Sequence, residues 1–300
     1  MTAVLVGLDV GGTKTAVIVE TVTGRELVDT VIPSEDWDAE PLEHGVAWIE
    51  RAIASVVPEG HEVAAVGIGA QGLDNDTISR EFAAAVQYPA VAVNDAALLP
   101  AAAGLDKGLG VIAGTGSIGV GRDADGSYVI TGGWGWVIGD EAGAAGIVRE
   151  ATKAALRAHD DSLPDDGLLS ALCEAFGVAD AERLARAVND EPTMDNWGPR
   201  APAVFAAADG GSVLAASVIE AAGANLASLV DQLVARGAVG STVVAAGSVV
   251  VGQPRLFNAL VRGVAATQSQ LEVVLLTDPP VVGALALARQ LYENSVTKES

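Results

Sequence analysis

The chain has 300 residues, half of them hydrophobic, which is enough for two domains with separate cores. Its 39 acidic residues against 17 basic leave a net charge of −22, which repels nucleic acid and anionic membrane surfaces and excludes a broad polyanion-binding face. The one cysteine, Cys173, can neither close an internal disulfide nor hold a cluster alone, and its apolar helical surroundings make it a small core residue.

Residues 3–8 are an apolar run ending at Asp9 and the turn Gly11-Gly12-Thr13-Lys14, and residues 15–20 read as the returning strand. No basic leader or cleavage site precedes them, so a cytoplasmic protein is expected. A strand at 25–32 follows the turn at Thr23-Gly24. Asp38 is placed to cap a helix carrying Leu42, Val46, Ile49 and Ile53 at helical spacing, with Pro41 tolerated in its first turn. Residues 63–69 form a buried strand, 82–86 belong to a helix, 90–93 form a short strand and 96–103 return to helix. Three antiparallel strands followed by alternating helices and parallel strands specify an α/β sheet of mixed direction.

Residues 108–141 hold two glycine-rich loops. The first, Gly114-Thr115-Gly116-Ser117, is a tight turn between strands whose free backbone N–H groups can cradle phosphate oxygens. The second, Gly132-Gly133-Trp134-Gly135-Trp136, joins strand 128–131 to a helix expected to open at Asp140-Glu141 and run to His159. Two carboxylates and two indoles beside a flexible backbone suit a polyhydroxylated ring. Residues 163–208 read as short amphipathic helices, 211–236 as a long helix, and 242–246 as a buried strand entering Gly247-Ser248. A last strand at 272–276 and a closing helix at 281–292 precede a tail expected to fray from Asn294. The longest uncharged run, 237–254, is broken by glycine, serine and threonine and reads as strand plus loop, not a membrane helix.

Residues 8–17, LDVGGTKTAV, and 111–120, VIAGTGSIGV, echo each other as strand, glycine–threonine turn, strand. A duplication would set two such loops across a cleft. Competing motifs fail on context. The segment from Gly7 to Lys14 puts threonine where a Walker A loop needs lysine, and a strand follows it. GxGxxG at Gly67-Gly69-Gly72 is followed by Asp74 and Asp76, whose charges oppose a pyrophosphate. The same pattern at Gly114-Gly116-Gly119 leads into a hairpin turning at residues 123–126 where a dinucleotide fold needs a helix. His44, His61 and His159 show no ligand spacing.

Asp9-x-Gly-Gly-Thr-Lys, Asn94-Asp95-Ala96-Ala97, Gly114-Thr115-Gly116-Ser117, Gly132-Gly133-Trp134-Gly135 with Gly139-Asp140-Glu141, and Ala246-Gly247-Ser248 resemble, in order, the N-acetylglucosamine kinase family. That family is grouped with the BadF/BadG-type ATPases in the actin-like and sugar-kinase superfamily. The resemblance implies two ribonuclease H-like domains around a central cleft: residues 1–109 with helix 281–293 packed back on them, and residues 110–280 with a helical insertion at 160–210. It implies an ATP-dependent kinase phosphorylating N-acetylglucosamine or glucosamine at the C6 hydroxyl, with Mg²⁺ and a homodimer. Gly11, Gly12, Thr13 and Lys14, with Gly114, Thr115, Gly116 and Ser117, would meet the phosphates, and Gly247 and Ser248 the adenosine. Asp9 would hold Mg²⁺ through water, Asp95 would be the general base, and Gly133, Trp134, Gly135 and Asp140 would line the sugar pocket.

Simpler uses compete with these roles: Asp95 as a helix cap, Trp136 as a core aromatic, Glu141 as a charge serving a helix dipole. One departure from the family also stands out. Related kinases place an asparagine before the first helix, where this chain has Ser34-Glu35-Asp36-Trp37-Asp38; the resemblance makes Glu35 its counterpart near the sugar's hydroxyls, while the simpler use of these carboxylates is as charges favouring the helix N-terminus. Another hexose as substrate, or an ATPase that activates a radical enzyme, remain alternatives, the latter poorly served by a single cysteine. A repressor would need a DNA-binding segment ahead of the first strand, where the sequence has only Met1 and Thr2.

Overall fold

The computed structural model describes residues 2–73, 75–105 and 107–299, so Met1 and Asp74, both weighed above, lie outside it. Two compact units emerge: Met1–Gly110, Gly121–Tyr128 and Leu276–Ser300 form the first, Val111–Val120 and Val129–Leu275 the second.

The first unit is built on the sheet β3-β2-β1-β4-β5. Strands β1 (Thr2–Val10), β2 (Lys14–Thr21) and β3 (Glu26–Pro33) are antiparallel neighbours, while β4 (His61–Ala70) and β5 (Ala90–Val93) run parallel beside β1. This is the mixed direction that the element pattern predicts. β1 is central and apolar on both faces, as a strand covered twice must be. On one face Val4, Val6, Leu8 and Val10 pack with Trp48, Ile49 and Ile53 of α1 (Leu42–Val56) and Phe82 of α2 (Asp76–Ala85). On the other, Leu5, Ile18 and Ala65 lie under Val281, Leu285 and Ala288 of the last helix, α12 (Val281–Glu299).

That second contact depends on glycine. A Cβ on Gly7 would lie 2.6 Å from the Leu285 backbone nitrogen, and one on Gly67 only 1.9 Å from the Ala284 carbonyl oxygen. The helix backbone therefore rests directly on the strands, closer than any side chain permits.

Three helix ends differ from expectation. α1 begins at Leu42 with Pro41 as its cap, and the Asp38 carboxylate instead accepts from the Glu40 N–H at 3.0 Å, turning back on its own loop. α12 continues through Glu299, so its final turns are helical where fraying is expected. The helix predicted from Asp140 starts at Ala144, because Asp140 holds a left-handed φ of 52° that no helix accommodates.

A short 3₁₀ turn, Asp95–Ala97, leads from β5 into α3 (Leu98–Ala102). The second sheet, order β10-β9-β6-β7-β8, uses β6 (Leu109–Ala113), β7 (Ser117–Arg122), β8 (Tyr128–Gly132), β9 (Thr242–Ala246) and β10 (Glu272–Leu275). α4 (Ala144–Asp160) is followed by four short helices, α5 (Leu168–Phe176), α6 (Ala181–Asp190), α7 (Met194–Trp197) and α8 (Ala201–Asp209), the broken amphipathic run that the sequence suggests.

α9 (Val213–Ala235) is, among the described residues, the one helix long and apolar enough to cross a membrane. Its packing is that of a core helix. Leu226, Val230 and Leu233 are buried, and Gly223 lies where a Cβ would come 2.3 Å from Cβ of Ala259 on α11 (Pro254–Thr267). A Cβ on Gly263 of α11 would in turn meet Cβ of Ala227 at 2.6 Å, so small residues on both helices permit the close crossing. Between β9 and α11 lies the single-turn helix α10 (Ser248–Gly252).

Candidate active site

In the first unit the candidate residues collect at the carboxyl ends of the parallel strands. Asp9 of β1 is level with Gly69 of β4, and Gly69 with Val93 of β5, so the chain leaves all three strands at one sheet edge. From β1 it enters the hairpin turn Gly11–Lys14, closed by the Gly11 N–H donating to the Lys14 carbonyl at 3.1 Å. From β5 it enters Asn94-Asp95. The cap of the 3₁₀ turn there is Asn94, whose side chain accepts from the Ala96 N–H at 3.1 Å, so Asp95 is the first residue of the turn and not its cap. Oδ1 of Asp95 also accepts from that N–H, at 2.8 Å.

Asp9 feels both neighbours. Burial, then the charge of Asp95, push its pKa from 3.8 up to about 7, against the opposing pull of Lys14. Asp9 beside the charge of Asp95 is a pair of hard oxygen donors that fits a hydrated Mg²⁺, which would relieve the repulsion. In the ligand-free protein the sign is unfavourable to folding at neutral pH. A folded pKa near 7 above an unfolded 3.8 means stability falls as pH rises between these values. Asp9→Asn, without metal or nucleotide, is therefore expected to lack that slope and to melt a few degrees above the native protein at pH 8, with the gap closing toward pH 4. Thermal melts across this range check it, and equal slopes in both proteins would remove Asp9 as the source.

Glu35 lies next to this turn. The Ser34 N–H donates to the Thr13 carbonyl at 3.1 Å, and the Ser34 and Thr15 hydroxyls share a buried hydrogen bond of 2.7 Å. Trp48 Nε1 donates to the Glu35 carbonyl at 2.9 Å, and Trp37 meets Trp48 edge-on at 5.3 Å. The backbone beside Glu35 is thus clamped, while its carboxylate is exposed.

In the second unit three predicted segments converge. A Cβ on Gly114 would lie 3.6 Å from the Ser248 nitrogen, and Gly247, at φ 105°, stands so close to β6 that its own Cβ would fall 2.5 Å from the Ala113 carbonyl oxygen. The first residue of α4, Ala144, donates its N–H to the Gly114 carbonyl at 2.8 Å. The positive end of a 17-residue helix thus abuts the glycine turn, which favours an anion there. Gly143 permits the approach, since a Cβ on it would meet the Thr115 carbonyl oxygen at 2.6 Å.

Asp140 closes over the same turn, near enough that a Cβ on Gly116 would strike its Oδ2 at 2.6 Å. Burial raises its pKa despite the Ser117 amide, and Glu141 adds to the rise against the Gly135 amide and Arg149. Those amides leave Oδ1 unsatisfied: it is buried without a hydrogen-bond partner. A buried acceptor that lacks a donor is costly, and a ligand hydroxyl would supply one.

The rest of the loop divides. Arg149 ties it to α4 by donating to the Trp136 and Gly139 carbonyls, and Trp136 packs edge-on against Trp197 at 4.9 Å, in keeping with a core aromatic. Gly133 and Gly135 hold left-handed φ values of 70° and 88°, and Trp134 is 76 % exposed with Ile138 at 80 %. Sequence reasoning passed over Gly143, whose need for glycine shows only in its contact with Thr115, and Gln71, which follows β4 beside Gly12.

Glycine turns at strand ends beside acidic side chains place the chain in the α/β class of ATPases. More narrowly, it belongs to the BadF/BadG/BcrA/BcrD ATPase family, whose model matches residues 6–288. It is 31 % identical over 171 residues to an N-acetylmuramic acid/N-acetylglucosamine kinase of Clostridium acetobutylicum, a match covering 52 % of this chain and 54 % of that one. It is 23 % identical over 216 residues to an N-acetyl-D-glucosamine kinase of Dictyostelium discoideum, covering 65 % of this chain and 66 % of the other. The chain thus spans about half the length of the first relative and under two thirds of the second. Among solved structures, a candidate N-acetylglucosamine kinase from Chromobacterium violaceum is similar at 25 % identity with a TM-score of 0.68, covering 95 % of this chain and 98 % of that one.

Proposed function

We propose that the chain is an ATP-dependent kinase that phosphorylates an amino sugar, N-acetylglucosamine or glucosamine, at the C6 hydroxyl. The observation that supports this most is the gathering of Asp9, Asp95 and the Gly11–Lys14 turn at one sheet edge in a member of an ATPase family. Phosphoryl transfer asks for positioning and charge neutralisation more than for a covalent partner. Gly11, Gly12, Thr13 and Lys14 form the turn around the β and γ phosphates, with the N–H groups of Gly12 and Thr13 and the Lys14 ammonium as donors, since the Gly11 N–H closes the turn itself. In the turn Gly114, Thr115, Gly116 and Ser117 the N–H groups of Thr115 and Gly116 are further donors, those of Gly114 and Ser117 being bound to the Gly116 carbonyl and to Asp140, and Gly247 with Ser248 lies under the adenosine. Asp95 accepts the proton of the C6 hydroxyl. Gly133, Trp134, Gly135 and Asp140 line the sugar, and the orphaned Oδ1 of Asp140 takes a sugar hydroxyl. Mg²⁺, held by Asp9 through water, neutralises phosphate charge. Each unit is a ribonuclease H-like fold of the actin-like kind, and the protein works as a cytoplasmic homodimer.

The test is coupled ADP release over glucosamine, N-acetylglucosamine, glucose and N-acetylmannosamine, with a control lacking sugar. Release that ignores sugar throughout would overturn the kinase in favour of an ATPase.

The same assay reads Glu35. An exposed carboxylate on a clamped backbone beside the phosphate turn accepts hydrogen bonds but donates none, so it suits an ammonium or hydroxyl and serves an acetamide carbonyl poorly. The kcat/KM ratio of glucosamine to N-acetylglucosamine is therefore expected to exceed one and to fall in Glu35→Asn. A ratio that the substitution leaves unmoved makes Glu35 a surface charge.

A further inference from the structure

β4 is the middle of the three parallel strands that end together, and the residue following it is Gln71. Its backbone N–H donates to the Val10 carbonyl at 3.1 Å, which carries the register of β1 and β4 one step beyond the strands. Asp9, Gly69 and Val93 are level in the sheet, so Gln71 follows the middle strand at the height where Gly11 follows β1 and Asp95 follows β5. Its side chain leans toward the turn: a Cβ on Gly12 would lie 3.2 Å from Oε1 of Gln71. Among the described residues that carboxamide makes no hydrogen bond, and the residue is exposed. A polar, uncharged, unpartnered group is therefore held between the phosphate turn and the proposed base.

We propose that the Gln71 carboxamide is a ligand of the phosphoryl group in flight. This rests on the phosphoryl-transfer reading above. In that step the bond from the γ phosphorus to the β–γ bridging oxygen breaks, the sugar O6–P bond forms, the O6 proton passes to the Asp95 carboxylate, and ADP leaves with the bridging oxygen. As it crosses, the group passes the position midway between Gly12 and Asp95, and negative charge spreads over its three equatorial oxygens. A side-chain N–H of Gln71 donates to one of them. Glutamine suits the place because it donates without charge. A carboxylate there would repel the phosphoryl group.

Q71A and Q71E separate this from a space-filling role, since glutamate keeps the shape and loses the donor. The readouts are the affinity for MgADP alone, the affinity for MgADP with aluminium fluoride, which mimics the planar phosphoryl group, and kcat with KM for the sugar. In Q71A, ADP alone should bind within twofold of the native protein, while the fluoride complex weakens and kcat falls by roughly 10-fold, with KM for sugar unchanged. In Q71E both losses should be larger. Equal affinity of Q71E and native protein for the fluoride complex, or equal weakening with and without fluoride, would overturn the proposal. Because the fluoride complex reads the nucleotide alone, ADP release that ignores sugar would remove the kinase reading without removing this one.

Discussion

Asp95→Asn is expected to lower kcat by about 10²–10⁴, the usual worth of a positioned general base, while nucleotide and sugar affinities stay within a few-fold. Asparagine preserves the shape and can still accept the Ala96 N–H through its carbonyl oxygen, so the local turn survives. It cannot take up a proton. The competing role for an acid at this place, capping the turn, already belongs to Asn94, which meets the same N–H and is buried. Were Asp95 only a structural acid, the substitution would show in the melting temperature and not in kcat. Steady-state kinetics beside a thermal melt separates the two, and retention of more than half the native kcat would take Asp95 out of the mechanism.

Gly67→Ala should cost at least about 3 kcal/mol, the upper end of what overpacking does, and lower Tm by roughly 10 °C. The sign is informative, because glycine to alanine normally stabilises by about 0.4–1 kcal/mol through the unfolded chain. Here the added methyl would fall 1.9 Å from the Ala284 carbonyl oxygen, and backbone cannot turn aside as a side chain can. Either α12 lifts from the sheet, exposing Leu5, Ile18 and Ala65, or the strand deforms. Gly252→Ala is the control, since its Cβ would meet nothing within 4 Å. Differential scanning calorimetry on both variants decides it, and a Gly67→Ala protein as stable as the control would mean the helix does not rest where it is placed.

Much of the fold was legible because it follows from local pattern. The apolar runs at β1 and β4, the glycine turn at residues 11–14 and the alternation of strands and helices after β3 are periodicities and punctuation that any folded context would respect. The start of α4 was not legible. Asp140 reads as a first-turn acid, yet its backbone is left-handed because Gly116 and Gly146 let the chain press against it. A Cβ on Gly146 would lie 2.1 Å from the Asp140 carbonyl oxygen, and one on Gly116 would lie 2.6 Å from its Oδ2, the latter a contact that no local window contains. Asp38 misleads for a different reason, since a nearby N–H in its own loop competes for its carboxylate.

The site divides along the same line. Asp9, Asp95 and Lys14 lie in short motifs, and the structure brings Asp9 within reach of the charges of the other two. Gln71 is an unspecified position of the GxGxxG pattern at residues 67–72, and its place shows only in how three strands line up, level with Gly11 and Asp95 from distant segments of the chain. The buried Oδ1 of Asp140 is equally invisible in sequence, where an acid near a helix start is expected to point to solvent.

The seat of α12 also bears on how the chain is made. Its partners, Leu5, Ile18 and Ala65, leave the ribosome early, and the helix that covers them follows only after the whole second unit has been synthesised. During that interval the back of the first sheet is bare apolar surface, the kind that chaperones grip and that sticks to its neighbours on a polysome. The first unit thus finishes folding last, although most of it is translated first.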